Sequence, residues 1–172
     1  MKLPSQKYTF DNRLLVLEET FKSARQKVHD DARQELLELS EEEFSGSPHE
    51  LGLLLKLKAQ DAFRQGNYPK ALELGLKATK ILAGLALNVR YAQAVFTLAK
   101  VYWALGDLKN AEIRARDSLA AARRAEDNQG HSNALNMLAW VAYIRSDYLK
   151  SQEYLEEGLS VAKGDHRNIS QL

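Results

Sequence analysis

Histidines, cysteines and clustered carboxylates are the side chains that most often bind metals or catalyse reactions in proteins. Here the four histidines, His29, His49, His131 and His166, are scattered, and none pairs with a carboxylate at metal-ligand spacing. Asp30 and Asp31 follow His29, but the further histidines that a metal site would need are absent, so we expect solvated surface there. The chain has no cysteine, no phosphate-binding glycine loop and no nucleophile elbow. We therefore expect no catalytic residue, no metal, no cofactor and no enzymatic activity.

A pattern that recurs every forty residues sets out the elements of the chain. Its centre is a tight corner that is followed, three residues after its last member, by a small residue. The three copies are Gly66-Asn67-Tyr68 with Ala71, Gly106-Asp107-Leu108 with Ala111, and Ser146-Asp147-Tyr148 with Ser151. Ala59, Ala99 and Ala139 keep the same spacing. Corners of this kind join two antiparallel helices, so the sequence predicts three helical hairpins.

The composition supports an all-helical chain. Strong helix formers dominate, and only three prolines and nine glycines interrupt them. We predict helices at about 48–65 and 68–82, 89–105 and 108–125, and 129–145 and 148–162. Ser47, Pro48 and Glu50 have the spacing of a capping box, in which the Ser47 side chain would close the start of the first of these helices.

The repeats resemble the tetratricopeptide repeat family. The residues that carry the resemblance are Ala99, Tyr102, Gly106, Asp107 and Ala111 in the second copy, and Ala59, Gly66, Asn67, Tyr68, Ala71 and Ala78 in the first. The third copy is weaker, with Ser146, Ser151 and Gly158 at three of these positions. The resemblance covers residues 48–163, and the period of forty exceeds the usual unit of about 34. It implies an all-α, right-handed superhelical solenoid of three hairpins that acts as a non-catalytic protein-interaction module.

The resemblance also implies that the first helix of each hairpin lines an inner surface. A peptide or partner helix would be held there by rings for contact area and by polar groups for orientation. The residues expected to do so are Lys56, Gln60, Phe96, Lys100, Trp103, Asn133, Asn136, Trp140 and Tyr143. Phe63 and Tyr143 share the repeat position of Trp103, and both could instead fill the hairpin interiors, as aromatic stripes on helices often do. Trp103 adjoins Tyr102, so at least one of the two is expected to be partly exposed.

Some members of this family grip a terminal carboxylate of chaperones with lysines, arginine and asparagines. Lys56 matches the first lysine of that clamp, but Gln60, Thr97, Asn133 and Met137 occupy the other positions. The resemblance therefore implies no chaperone-tail binding. The remaining groove suits backbone amides or an apolar peptide.

Residues 1–46 form an N-terminal segment with one apolar stripe. The stripe comprises Leu14, Leu17, Phe21, Ala24, Val28, Ala32, Leu36 and Leu39, and it predicts either one long helix or two helices that part near 29–31. Because the spacing departs from heptads after Val28, we favour a cap over the first repeat, with a dimerising coil as the alternative.

The repeats occupy residues 47–165, as units at about 52–85, 92–125 and 132–165, and residues 166–172 are expected to be a connector. The last predicted helix still carries Leu149, Leu155, Leu159, Val161 and Ala162, so a homodimer through this helix is a second alternative. A sensor segment of a larger bacterial signalling or transcription regulator is a third.

Charge and hydropathy limit the choice of partners. Residues 1–50 carry seven Lys and Arg against eleven Asp and Glu, and residues 51–172 carry seventeen against twelve. Basic residues cluster at Lys109, Arg114, Arg116, Arg123 and Arg124, but carboxylates are interspersed, so a salt-bridged outer face is expected rather than a nucleic-acid site. Residues 1–7 lack the apolar core of a signal peptide, and no apolar run reaches membrane-spanning length. We therefore expect a cytoplasmic protein with a protein or peptide partner and no membrane.

Overall fold

The computed structural model describes residues 12–22, 26–85 and 88–169. Eight α-helices and one short 3₁₀ helix make up this part of the chain. They are α1 (Asn12–Lys22), α2 (Gln26–Glu38), the 3₁₀ helix (Glu42–Phe44), α3 (Pro48–Arg64), α4 (Tyr68–Ala83), α5 (Asn88–Ala104), α6 (Leu108–Arg124), α7 (Asn128–Ile144) and α8 (Tyr148–Ile169). These residues include no β-strand, which confirms the all-α prediction.

The helices from α3 onwards form a stack of three hairpins. α3 packs on α4, α5 on α6 and α7 on α8, and each hairpin packs on the next through α4 with α5 and α6 with α7. α3, α5 and α7 also contact one another in that order, whereas α4, α6 and α8 do not. Within the described residues the stack therefore curves with α3, α5 and α7 on its inner side. This confirms the predicted helical repeat solenoid.

The predicted corners form as the sequence indicates. In each hairpin the first corner residue adopts a positive φ, which is 74° at Gly66, 79° at Gly106 and 62° at Ser146. The next residue is the N-cap of the second helix, and its side chain accepts a hydrogen bond from a backbone N–H three residues on. These bonds join Asn67 to Lys70 at 3.2 Å, Asp107 to Asn110 at 3.0 Å and Asp147 to Lys150 at 3.2 Å. A left-handed residue followed by a capping side chain therefore ends one helix and starts the next.

Small residues let the helices approach closely. A Cβ built on Gly75 of α4 would lie 2.7 Å from a methyl carbon of Leu98 in α5. Ala71, Ala78 and Ala111 are fully buried in the hairpins. Larger side chains at these positions would separate the helices.

α1 and α2 lie against α3, at the start of the stack. The predicted N-terminal stripe supplies much of the apolar cluster between them, with Leu14, Leu17, Phe21 and Leu36 all buried. Phe44 of the 3₁₀ helix and Leu53 of α3 complete the same cluster. These stripe residues are therefore covered by the chain itself. Ala24 of the stripe lies outside the described residues.

The N-terminal segment contains two helices, α1 and α2, which agrees with the two-helix alternative, but the predicted position of the break is wrong. Residues 29–31 lie inside α2, whose sequence there contains neither glycine nor proline. The capping box predicted at the start of α3 is also wrong. Ser47 is the N-cap of α3, but its side chain makes no capping hydrogen bond. Reciprocal capping occurs instead between Ser40 and Glu43, whose backbone N–H groups donate to each other's side chains at 2.9 and 3.3 Å. This pair of hydrogen bonds spans the start of the 3₁₀ helix.

α8 is longer than predicted. It continues past Ala162 to Ile169, so residues 166–169, which were expected to belong to a connector, are helical. No proline follows Ala162 in this segment, and a single glycine such as Gly164 costs a helix only about 1 kcal/mol.

Candidate binding groove

The inner side of the stack contains two adjoining cavities. The first, here called the polar chamber, has a volume of about 510 Å³ and is lined by α1, α3, α5 and the start of α7. The second, here called the aromatic chamber, has a volume of about 560 Å³ and is lined by Phe63, Lys100, Trp103, Met137 and Trp140. Lys100 lines both chambers. Together the two chambers form a groove across α3, α5 and α7.

A buried ion cluster closes one end of the polar chamber. Glu18 of α1 accepts hydrogen bonds from Lys56 Nζ of α3 at 2.5 Å and from Arg90 Nη2 of α5 at 2.8 Å. Lys56 Nζ also donates to the side-chain oxygen of Gln93 at 2.8 Å. Burial alone would raise the pKa of the Glu18 carboxyl, but the hydrogen bonds and charges of Arg90 and Lys56 outweigh it and lower that pKa to about 2. One carboxylate thus joins three helices.

This cluster changes the role that we predicted for Lys56. Its side chain is only 2% exposed and is engaged by Glu18 and Gln93, so it cannot reach a partner in this structure. The sequence prediction missed Glu18 and Arg90. Glu18 follows Leu17, a residue of the predicted apolar stripe. A carboxylate beside a buried face needs a cationic partner, and this could have indicated a buried ion pair.

Lys100 is the most unusual charged residue of the groove. Its Nζ lies 4.8 Å from the ring centroid of Phe63 and 5.5 Å from that of Phe96. Burial, with a smaller contribution from the positive charge of Arg64, lowers the pKa of its ammonium group to about 8. The rings of Phe63 and Phe96 thus flank the Lys100 ammonium group where the two chambers meet.

Arg64 is a groove residue that the sequence prediction missed. Its guanidinium donates to the backbone carbonyl of Phe21 at 2.8 Å and stacks 4.9 Å from the Phe21 ring centroid. Arg64 is the last residue of α3, and no feature of the sequence indicates whether its side chain lies on the inner or the outer side. Its anchoring contact with α1 holds it beside the polar chamber.

Trp103 and Trp140, both predicted groove residues, line the aromatic chamber with 42% and 55% of their surfaces exposed. Phe63 faces the same chamber, while its ring also packs on Tyr68 at 5.7 Å between centroids. It therefore serves both the groove and the hairpin interior. Tyr102 is half-buried, so the more exposed member of the Tyr102–Trp103 pair is the tryptophan.

The remaining predicted residues divide between the groove and its surroundings. Gln60, Phe96 and Asn133 line the polar chamber. Asn136 is exposed but lines neither chamber. Tyr143 lies apart from both chambers, in a smaller cavity of about 240 Å³ between α7 and α8. Its ring packs against Trp140 and Tyr148 there, so it borders the groove only through Trp140.

The outer helices carry paired charges. Arg116 bonds to Glu112 at 2.8 Å, Arg145 also contacts Glu112, and Arg123 contacts Glu157. Arg114 lies 3.4 Å from Asp117. These basic side chains thus already have carboxylate partners on the outer face.

No group of three or more potential metal ligands occurs among the described residues. In the same residues, no helix combines the length and apolar character needed to cross a bilayer.

Residues 90–164 match the family model described as Tetratricopeptide repeat. The match covers α5, α6, α7 and most of α8, which are the second and third hairpins. No curated protein matches the chain.

Proposed function

Residues 90–164 belong to the tetratricopeptide repeat family, whose domains generally bind other proteins, and we propose that this chain binds a peptide or partner helix in the groove across α3, α5 and α7. The observation that carries the proposal is the aromatic chamber. It exposes Trp103 and Trp140 side by side with Met137 in a cavity of about 560 Å³. Exposed tryptophans in a concave, mostly apolar site are the usual centre of a protein interface.

The groove offers both kinds of contact that a bound segment needs. The aromatic chamber supplies apolar area, and the polar chamber supplies the side-chain amides of Gln60, Gln93 and Asn133 for backbone or side-chain hydrogen bonds. A segment that lies along the groove would therefore place apolar side chains at one end and polar groups at the other.

The proposal can be tested by selecting binders from a random peptide display library on the immobilised protein. The chain contains two tryptophans, and both line the aromatic chamber, so tryptophan fluorescence reports binding at this site. We expect selected peptides to change that fluorescence, and Trp140→Ala to weaken them at least about tenfold.

The matched control is Leu76→Ala, which removes an exposed apolar side chain from the outer helix α4. It should leave the affinity unchanged, and circular dichroism should show that both variants keep their helices. Equal affinity of the wild type and Trp140→Ala would reject the groove as the binding site.

A second candidate, self-association through α8, is supported by a difference between equivalent positions. Leu119 of α6 is 8% exposed and belongs to a buried cluster with Leu135 and Leu138 of α7. Leu159, forty residues later on α8, is 58% exposed. Light scattering over a concentration series should then show a dimer that Leu155→Asp with Leu159→Asp dissociates, while Leu76→Asp on α4 does not. A constant monomer mass would reject it.

A further inference from the structure

The groove keeps a positive charge that its own carboxylates do not neutralise. Lys56, Arg64 and Lys100 line the polar chamber together with only two carboxylates, Glu18 and Asp127. Glu18 is already bonded to Lys56 and to Arg90. Asp127 is the N-cap of α7, where its carboxylate accepts the Gly130 N–H at 2.9 Å. Within the described residues, Lys100 makes no ion pair.

The protein itself shows how a lysine of this groove is satisfied. A carboxylate from a helix that lies against α3 reaches Lys56, and Arg90 supports the same carboxylate from the side. Lys100 has a corresponding arrangement without the carboxylate. Its ammonium faces two open chambers, and Arg64 is close enough to lower its pKa by charge repulsion. An anionic group between Lys100 and Arg64 would relieve that repulsion.

The surroundings of Lys100 indicate what must accompany the anion. The aromatic chamber begins at Lys100 and continues over Trp103, Met137 and Trp140, none of which carries a charge. A free inorganic ion would leave these apolar surfaces uncovered. A peptide side chain next to the anionic group would fill them and gain burial of apolar area.

We propose that the groove selects partner segments in which an acidic side chain adjoins a bulky apolar one. The carboxylate binds Lys100 with support from Arg64, and the apolar side chain enters the aromatic chamber between Trp103 and Trp140. This inference rests on the proposed function and specifies the chemistry of the partner: an acidic and apolar segment of another protein.

The test uses the same peptide library on three proteins: the wild type, Lys100→Glu and Lys109→Glu. Lys109 is an exposed lysine of the outer helix α6 and serves as the matched control. We expect the wild type and Lys109→Glu to enrich Asp or Glu beside Leu, Phe, Met or Trp. Lys100→Glu should enrich Lys or Arg in place of the acidic residue. An unchanged acidic preference in Lys100→Glu would overturn the assignment.

A double-mutant cycle then isolates the contact. With the best selected peptide, replacing its acidic residue by the matching amide should weaken binding to the wild type about tenfold or more. The same replacement should have little effect on Lys100→Met, because the interaction has already been removed. Equal weakening in both proteins would place the carboxylate elsewhere.

The outcomes separate this inference from the proposed function. If no peptide is enriched on the wild type, the proposed function itself fails. If enriched peptides require Trp140 but are indifferent to Lys100, the groove binds peptides and only the acidic selectivity is wrong. A phosphoserine peptide that binds far more tightly than its glutamate counterpart would replace the carboxylate by a phosphate.

Discussion

Two lysines of the inner groove lie in opposite environments, one at the N-terminal end of the groove and one where its two chambers meet. At the N-terminal end Lys56 is buried and bonded to Glu18, which α1 brings across α3. Further along, Lys100 is held between two rings and faces open cavities. The chain itself covers Lys56, whereas Lys100 stays open to the two chambers. A lysine on the inner face is therefore a structural or a binding residue according to what lies over it.

The outer side of the stack repeats this contrast. Leu119 of α6 is buried, whereas Leu159 occupies the equivalent position of α8 and is exposed. In both comparisons the residue type is the same and the neighbour differs. Sequence position within a repeat therefore indicates which way a side chain faces, and the adjoining helix decides whether that side chain is available.

The largest expected effect on stability follows from removing the carboxylate that bonds Lys56. Glu18→Gln removes the carboxylate that accepts hydrogen bonds from both Lys56 and Arg90, and we expect it to lower the free energy of unfolding by about 3–5 kcal/mol. Urea denaturation measures this change, with Glu153→Gln at an exposed position of α8 as the control.

The same pair predicts an acid dependence. The pKa of Glu18 falls from 4.5 to about 2 on folding, so its contribution is complete above about pH 4.5 and is lost as the pH falls towards 2. The difference between wild type and Glu18→Gln should shrink over that range. A difference that stays constant down to pH 2 would contradict the assignment.

The outer contrast predicts an unequal pair of truncations. Leu119→Ala should lower the free energy of unfolding by about 2–4 kcal/mol, because it leaves a cavity between α6 and α7. Leu159→Ala should change it by about 0.5 kcal/mol or less, since the side chain is 58% exposed. Urea denaturation of both variants at one low protein concentration checks this prediction. Equal losses would show that α8 is covered in solution.

Removing the charge of Lys100 should make the protein more stable. We expect Lys100→Met to raise the free energy of unfolding at pH 7 by about 1–2 kcal/mol, because burial of the ammonium is removed while the apolar stem is kept. The folded pKa of about 8 lies below the ordinary value of 10.5. The wild type therefore gains stability between about pH 8 and 10.5, and the advantage of Lys100→Met should disappear there. Lys56→Met, by contrast, should destabilise the protein at pH 7.

The smallest expected effect concerns the corners of the second and third hairpins. Ser146 holds a φ of 62° where Gly106 holds 79° in the equivalent corner. Ser146→Gly should therefore stabilise the protein by up to about 1 kcal/mol, and Gly106→Ala should destabilise it by a similar amount. Thermal unfolding of both variants measures these changes. A loss of stability in Ser146→Gly would show that its side chain contributes more than its backbone strain costs.

The hairpins could be predicted from sequence because their determinants are local. Each corner contains a residue of positive φ, an N-cap whose side chain accepts from the backbone N–H three residues on, and a buried small residue. These features recur at forty-residue spacing. The helix ends of the stack accordingly lie within a residue or two of their predictions, except at the end of α8.

The groove could be predicted only in part, because its electrostatics depend on distant residues. The repeat predicts that Trp103, Trp140 and Lys100 lie on the inner face, and in the structure all three line the aromatic chamber. The contact of Glu18 with Lys56 spans 38 positions, and that with Arg90 spans 72, so no repeat pattern encodes them. The burial of Lys56, and so its difference from Lys100, therefore could not be predicted from the sequence.

The bond between Glu18 and Arg90 has a consequence for folding. In a stack of hairpins each unit touches only its neighbours, so terminal units can open independently of the rest. Glu18 ties α1 to both α3 and α5. We expect these helices to open as one cooperative unit. Amide hydrogen exchange should therefore be slower and more uniform from α1 to α5 than in the hairpin of α7 and α8. We expect that hairpin to open first.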